Sequence, residues 1–238
     1  YGWYRANTAI QVFLLLALSR VWRCHRRSAT AWVFVLLLGL AATTSFLFRA
    51  TLGYEIDRDD VVETLGGRYE TEHFVLHYDR DGVLANHIQN IGDDHEFRHW
   101  QLREMLGVEP SEKVHSFLYD TPAQKRQLMG ADRTYIAKPW NNEMHLNAIQ
   151  PGAAVLKHEL AHVFGGAIHT GWLRVPSRFG LIPNMGLVEG FAEACTWTRG
   201  PLTLHQWSAA LHSLKLAPPM TRLLGATGFL SSHSGQVY

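Results

Sequence analysis

Leu156-Lys157-His158-Glu159-Leu160-Ala161-His162 is the stretch whose reading decides this chain. It lies in a helix opened by Pro151-Gly152 and carrying Ala153 to Gly165, with apolar flanks on both sides of an H-E-x-x-H pattern. Histidines four apart share one helical face, one turn above the other, so both imidazoles reach a single ion while Glu159 points beside it. Zn²⁺ suits two neutral imidazoles and a carboxylate, leaving a fourth position for water. Such a centre needs a third protein ligand from elsewhere. Gly186-Leu187-Val188-Glu189-Gly190-Phe191-Ala192-Glu193 offers two carboxylates four apart on a further helix, running from about Gly186 to Trp197.

Together, H-E-L-A-H and the later E-G-F-A-E resemble the gluzincin metallopeptidases, over about Glu72 to Trp197. The resemblance implies His158, His162 and Glu189 as zinc ligands and Glu159 as the general base that takes a proton from water. It also implies that Glu193, one turn beyond the third ligand, orients a ligand histidine; a solvated helix charge is the equal alternative. Departures go with it. The 26 residues between His162 and Glu189 exceed the familiar gap, so an insertion rich in Gly165, Gly166, Gly171, Pro176, Gly180 and Pro183 is expected there, placed to flank a cleft. The metzincin pattern fails: Gly165 fits, but Ile168 stands where its third histidine belongs, and His169 comes one residue, about 100° of helix, too late. Pro139 to His145 lacks the aminopeptidase G-x-M-E-N segment, and Lys157 with its Gly/His neighbours excludes an intramembrane protease. Tyr238 is a weak candidate for the oxyanion donor such chemistry needs.

Around these helices the periodicity is that of an α+β domain. His73 to Asp79 alternates Phe74, Leu76 and Tyr78 on one face, predicting a half-buried strand. Val83 to Leu106 has helical spacing with Gly107 as its stop. Further strands are expected at Val114 to Tyr119 and Glu143 to Ile149, and a short helix after Asp120-Thr121-Pro122 through Gln124 and Leu128. The Glu143 to Ile149 strand is the candidate edge for an extended peptide, with plain packing of Met144 and Leu146 as its alternative. Leu202 to Leu216 has amphipathic spacing, placing Trp207 and Leu211 inside, and His205, His212 and His233 read as surface histidines.

The amino-terminal fifth differs in character. Ala29 to Phe48 is twenty residues without a formal charge, about the length that crosses roughly 30 Å of hydrocarbon. Thr8 to Ser19 is a shorter apolar segment, and Arg20, Arg23, Arg26 and Arg27 between the two predict a cytoplasmic loop. The expected organisation is therefore a first membrane segment and basic loop over 1–28, a transmembrane helix over 29–48, a linker over 49–71, and a zincin-like domain with a small mixed sheet over 72–238, cut short at its carboxyl end. That domain would lie outside the cytoplasm. With 22 Lys+Arg against 21 Asp+Glu, the formal charge of +1 argues against a broad nucleic-acid face. Cys24 and Cys195 are too few for a disulfide framework. The expected function is a membrane-anchored zinc endopeptidase acting on a peptide or protein, with membrane lipid as a second partner. Its rival is a noncatalytic zinc-containing ectodomain that binds a partner or regulates a membrane protein.

Overall fold

The computed structural model describes residues 12, 14–20, 23, 29–47, 57–169, 171–180, 182–225, 228 and 229. In chain order its helices are α1 (Ala29–Leu47), α2 (Arg58–Leu65), α3 (Ile88–Leu106), α4 (Pro122–Met129), α5 (Ala154–Ile168), α6 (Met185–Thr196), α7 (Leu204–Ser213) and α8 (Met220–Leu223). The alternating runs become β1 (Gly66–Glu70), β2 (Phe74–Asp79), β3 (Val114–Tyr119), β4 (Ile136–Lys138) and β5 (Glu143–Asn147), one sheet in the order β1-β2-β3-β5-β4. β2, β3 and β5 run parallel, while β1 and β4 are antiparallel edges, so the sheet is mixed and the fold α+β. Two-stranded ribbons β6/β7 (Ser177–Arg178, Ile182–Pro183) and β8/β9 (Thr198–Arg199, Leu202–Thr203) follow. The chain divides into two compact units, Tyr1–Thr64 with Pro122–Asp132, and Leu65–Thr121 with Arg133–Tyr238.

In the first unit the apolar stretch does form a helix, α1, but not a membrane span. Among the described residues, no helix is long and apolar enough to cross a membrane. The final turns of α1 carry Thr43, Thr44 and Ser45, and the Thr43 hydroxyl donates back to the Gly39 carbonyl. The expectation of one or two transmembrane helices ahead of the domain is corrected accordingly, and with it fall the lipid partner and the membrane-anchored extracytoplasmic placement. Cys24, Arg26, Arg27 and Phe48 lie outside the described residues. Within the stretch read as a linker, Asp57 and Asp60 exchange side-chain-to-backbone hydrogen bonds that start α2, and β1 follows directly.

The second unit is built on the period-2 pattern of its strands. Phe74 and Leu76 of β2, Val114 and Leu118 of β3, and Met144 and Leu146 of β5 face α3 and α5, where Ile91, Leu102, Leu156, Leu160 and Phe164 meet them in one buried cluster. Each such side chain contributes about 1.5–3 kcal/mol by leaving water. The opposite face is polar and aromatic: the rings of His77, Phe117 and His145 stack in succession across β2, β3 and β5, with centroids 4.7 Å apart at each step. Tyr119 bonds to His145 Nδ1 at 3.0 Å. At the β4 edge, Lys138 pairs with Glu143 across the antiparallel register, at 3.2 Å. Burial would raise the Glu143 carboxyl, but His145 and Lys138 outweigh it and hold it down at about 2. The ion pair thereby pins the register of a three-residue strand. The expected single helix from Val83 begins as a 3-10 turn, Val83–His87, whose first amides are accepted by the Asp120 carboxylate at 2.9 and 3.1 Å.

Candidate metal centre

α5 has two working faces because its apolar residues recur at helical spacing. Leu156, Leu160, Val163 and Phe164 are fully buried against the sheet side, which turns His158, Glu159 and His162 toward α6 and the cleft. α6 is started by Asn184, whose side chain accepts from the Leu187 amide. Gly186 lets it pass close to α8: a Cβ there would lie 2.6 Å from the Leu223 carbonyl oxygen. Ala192 and Cys195 bury the inner face of α6, so Glu189 and Glu193, one turn apart, both look toward α5. Cys195 is a free buried thiol.

His158 Nε2 lies 3.3 Å and His162 Nε2 3.6 Å from the same oxygen, Glu189 Oε2. The two rings stand at 84° with centroids 4.9 Å apart, so their in-plane lone pairs converge rather than run side by side. One ligand atom from each of His158, His162 and Glu189 falls within 4.8 Å of the others. On its other edge, His158 Nδ1 faces Glu193 Oε1 at 3.8 Å. Burial alone would raise the Glu189 carboxyl, yet the hydrogen bond from His158 and the close approach of His162 bring it down to about 2. Burial likewise opposes charge on His158, but Glu189 first, then Glu159 and Glu193, raise its pKa. Three carboxylates thus make a negative potential around two imidazoles, a donor set that fits a divalent cation of intermediate softness. Glu159 is 6 % exposed and lines the cleft.

The cleft has a volume of about 910 Å³ and is walled by Glu159, His162, Val188 and Glu189 on one side and by Tyr135, Ile136 and Ala137 on the other. A second pocket of about 310 Å³ adjoins His162 and is lined mainly by Val175, Pro176, Leu187, Val188 and Phe191. Val175 and Pro176 come from the long α5–α6 connection, so that insertion does border the cleft. The edge of the sheet is β4, however, not the Glu143 strand: β5 sits between β3 and β4 and offers no free edge. His169 ends α5 with its ring on the Gly165 carbonyl at 3.2 Å and does not join the group. Tyr238 lies outside the described residues. Arg133 and Tyr135 line the cleft without belonging to any sequence pattern, which is why sequence reasoning passes them over.

A second group, His73, His99 and Glu109, also brings ligand atoms within 4.8 Å of one another. Two His/His/Glu clusters able to hold a metal ion are therefore present, and neither fixes which ion. His99 is buried, and burial, with His73 next, depresses its pKa to about 4. No spacing rule flags this group, because its members come from a turn, a helix and the loop beyond that helix.

No family model, no curated protein and no solved structure matches the chain. The resemblance to the gluzincins thus rests on two short helical motifs, and membership of that family with a membrane anchor is corrected by the lack of any match together with the lack of a spanning helix.

Proposed function

We propose that the second unit is a metal-dependent hydrolase of peptide bonds, holding zinc through His158, His162 and Glu189 and using Glu159 as general base. The observation that carries this reading is the convergence of three donors from two helices beside a nearly buried carboxylate, on the wall of an open cleft. A zinc ion bound there would supply the Lewis acidity that makes water acidic near neutral pH and polarises a carbonyl oxygen. Glu159 accepts the proton from the attacking water and passes it to the departing amine. Glu193, facing Nδ1 of His158, favours the tautomer that keeps its proton there and leaves the Nε2 lone pair for the ion. β4 presents the main chain of an edge strand along the cleft, which suits an extended peptide.

A second reading is favoured by one observation: the His73/His99/Glu109 group shows that this chain also brings such donors together away from the cleft that Glu159 lines. On that reading the unit holds its ion and binds a partner without turnover. One experiment separates the two. Zinc content and cleavage of an unstructured protein are measured on the full chain and on Glu159→Gln. Hydrolysis predicts unchanged zinc and a loss of about 10²–10⁴ in turnover; undiminished turnover removes Glu159 as base, and a zinc-loaded wild type that cleaves nothing supports the second reading.

A further inference from the structure

We propose that His73, His99 and Glu109 form a second divalent transition-metal site, structural in role, which ties the β1–β2 turn to α3 and to the loop that follows it. His73 sits in the turn before β2, His99 in the third quarter of α3 and Glu109 just beyond the Gly107 stop. The His73 and His99 rings stack with centroids 3.9 Å apart at 18°, and His99 Nε2 lies 4.0 Å from Glu109 Oε2.

The tautomer of His73 is set by its neighbour. Nδ1 donates to Glu96 Oε2 at 2.7 Å, while the same carboxylate accepts the His73 amide through Oε1 at 2.9 Å. A carboxylate holding the far nitrogen is the arrangement that orients a ligand imidazole and raises its basicity. It leaves the lone pair of His73 Nε2 available to an ion. Glu72 Oε1, 3.9 Å from the same Nε2, adds negative charge at the open side. His99 is held from two directions, by Phe74 at 5.9 Å and by Phe164 of α5 at 5.0 Å, both edge-on. Parallel rings direct their lone pairs side by side, so taking up one ion requires the more exposed ring, His73, to tilt away from the fixed His99. Two imidazoles and a carboxylate select ions of the zinc, cobalt or nickel kind over calcium or magnesium, which prefer all-oxygen shells. Glu96 is engaged with the His73 ring and amide, so it holds a ligand in place where Glu159 at the first centre lines a cleft. The ion's effect is cross-linking: the folded chain binds it and the unfolded chain does not, so occupancy stabilises the α3–β2 junction on which Phe164 of α5 rests.

Zn²⁺ and Co²⁺ are the probes, titrated into the full chain at micromolar protein. The wild type takes up two equivalents. His158→Ala with His162→Ala retains one, and its melting temperature rises on adding zinc; further replacement by Glu109→Gln and His73→Asn removes that equivalent. Glu96→Gln keeps the stoichiometry but weakens the retained equivalent by about 10- to 100-fold. Because Glu109 is exposed, Glu109→Gln alone tests the site if the His73 variant does not fold, and it too must weaken the retained equivalent. The proposal is overturned if His158→Ala with His162→Ala binds nothing at this concentration, or if its retained equivalent is unaffected by Glu109→Gln. The first centre is judged separately, by the equivalent lost between wild type and the His158/His162 variant.

Discussion

The two His/His/Glu groups of this molecule use the same donors and are assembled in opposite ways. At the first, two ligands lie on consecutive turns of α5, and their rings meet at 84°; at the second, both histidines come from different segments, and the rings lie nearly parallel at 18°. The first is pre-shaped by helix geometry, the second by tertiary packing against Phe74 and Phe164. Local assembly gives a centre that needs one further ligand from α6 to close on an ion. Non-local assembly gives a centre that exists only once the sheet and α3 have docked. The first lies on a cleft that Glu159 also lines, and that setting is what separates the chemistry proposed for it from the cross-linking proposed for the second.

Perturbations that strike one group and spare the other sharpen this contrast. The largest effect belongs to Glu189→Ala, which removes the ligand that α6 contributes. Zinc binding at the first centre is expected to be lost at micromolar concentration while the second equivalent stays, read by metal content after gel filtration; full retention at the first centre would mean that another donor closes it.

Acid should act through α3. His95 is fully buried, donating from Nδ1 to the Ile91 carbonyl at 2.7 Å and meeting the Ser116 hydroxyl at Nε2 at 3.0 Å. Burial lowers its pKa from 6.5 to about 4. A depressed folded value means that the unfolded chain binds the extra proton first. Stability is therefore complete above pH 6.5 and declines as pH falls toward 4, by about 3 kcal/mol in total from this group. Urea unfolding of the metal-free chain at stepped pH checks it, and His95→Gln should flatten that part of the profile.

A smaller effect is expected from Gly92→Ala, where a Cβ would come within 2.7 Å of the Tyr69 ring. Alanine ordinarily favours a helix interior over glycine, yet here the α3–β1 contact must shift, and a loss of about 1–3 kcal/mol is expected. Affinity for the second ion should weaken with it, whereas the first centre keeps its metal. Smallest is Thr203→Ala, which removes the reciprocal cap between Thr203 and Gln206 at the start of α7. About 1 kcal/mol of stability should go, with both ions retained; a change at either centre would show that α7 is coupled to them.

Much of the domain was legible because it follows local rules. The strands at Phe74–Asp79, Val114–Tyr119 and Glu143–Asn147 alternate apolar residues toward the helices, although the structure buries their other face as well, so the expected half-buried strand is in fact covered on both sides; the helices α5 and α6 carry apolar stripes. The edge strand was misassigned because Ile136–Lys138 is three residues long and too short for any alternation to show. Within the stretch read as linker, β1 carries only Gly66-Gly67-Arg68-Tyr69-Glu70, and its pairing with β2 is what makes it a strand. α1 has the composition of a span, yet among the described residues no helix is long and apolar enough to cross a membrane.

By itself the sequence determined that His158 and His162 share one helical face with Glu159 pointing beside it, because 3.6 residues per turn leave no other arrangement once the helix forms. It also determined the mixed α+β character, through the change of period from strand to helix along the chain. Only the tertiary structure decided which carboxylate reaches those histidines, that β4 rather than β5 borders the cleft, and that His73, His99 and Glu109 meet at all. These are contacts between residues distant in the chain, set by how the helices pack on the sheet, and no local periodicity encodes them.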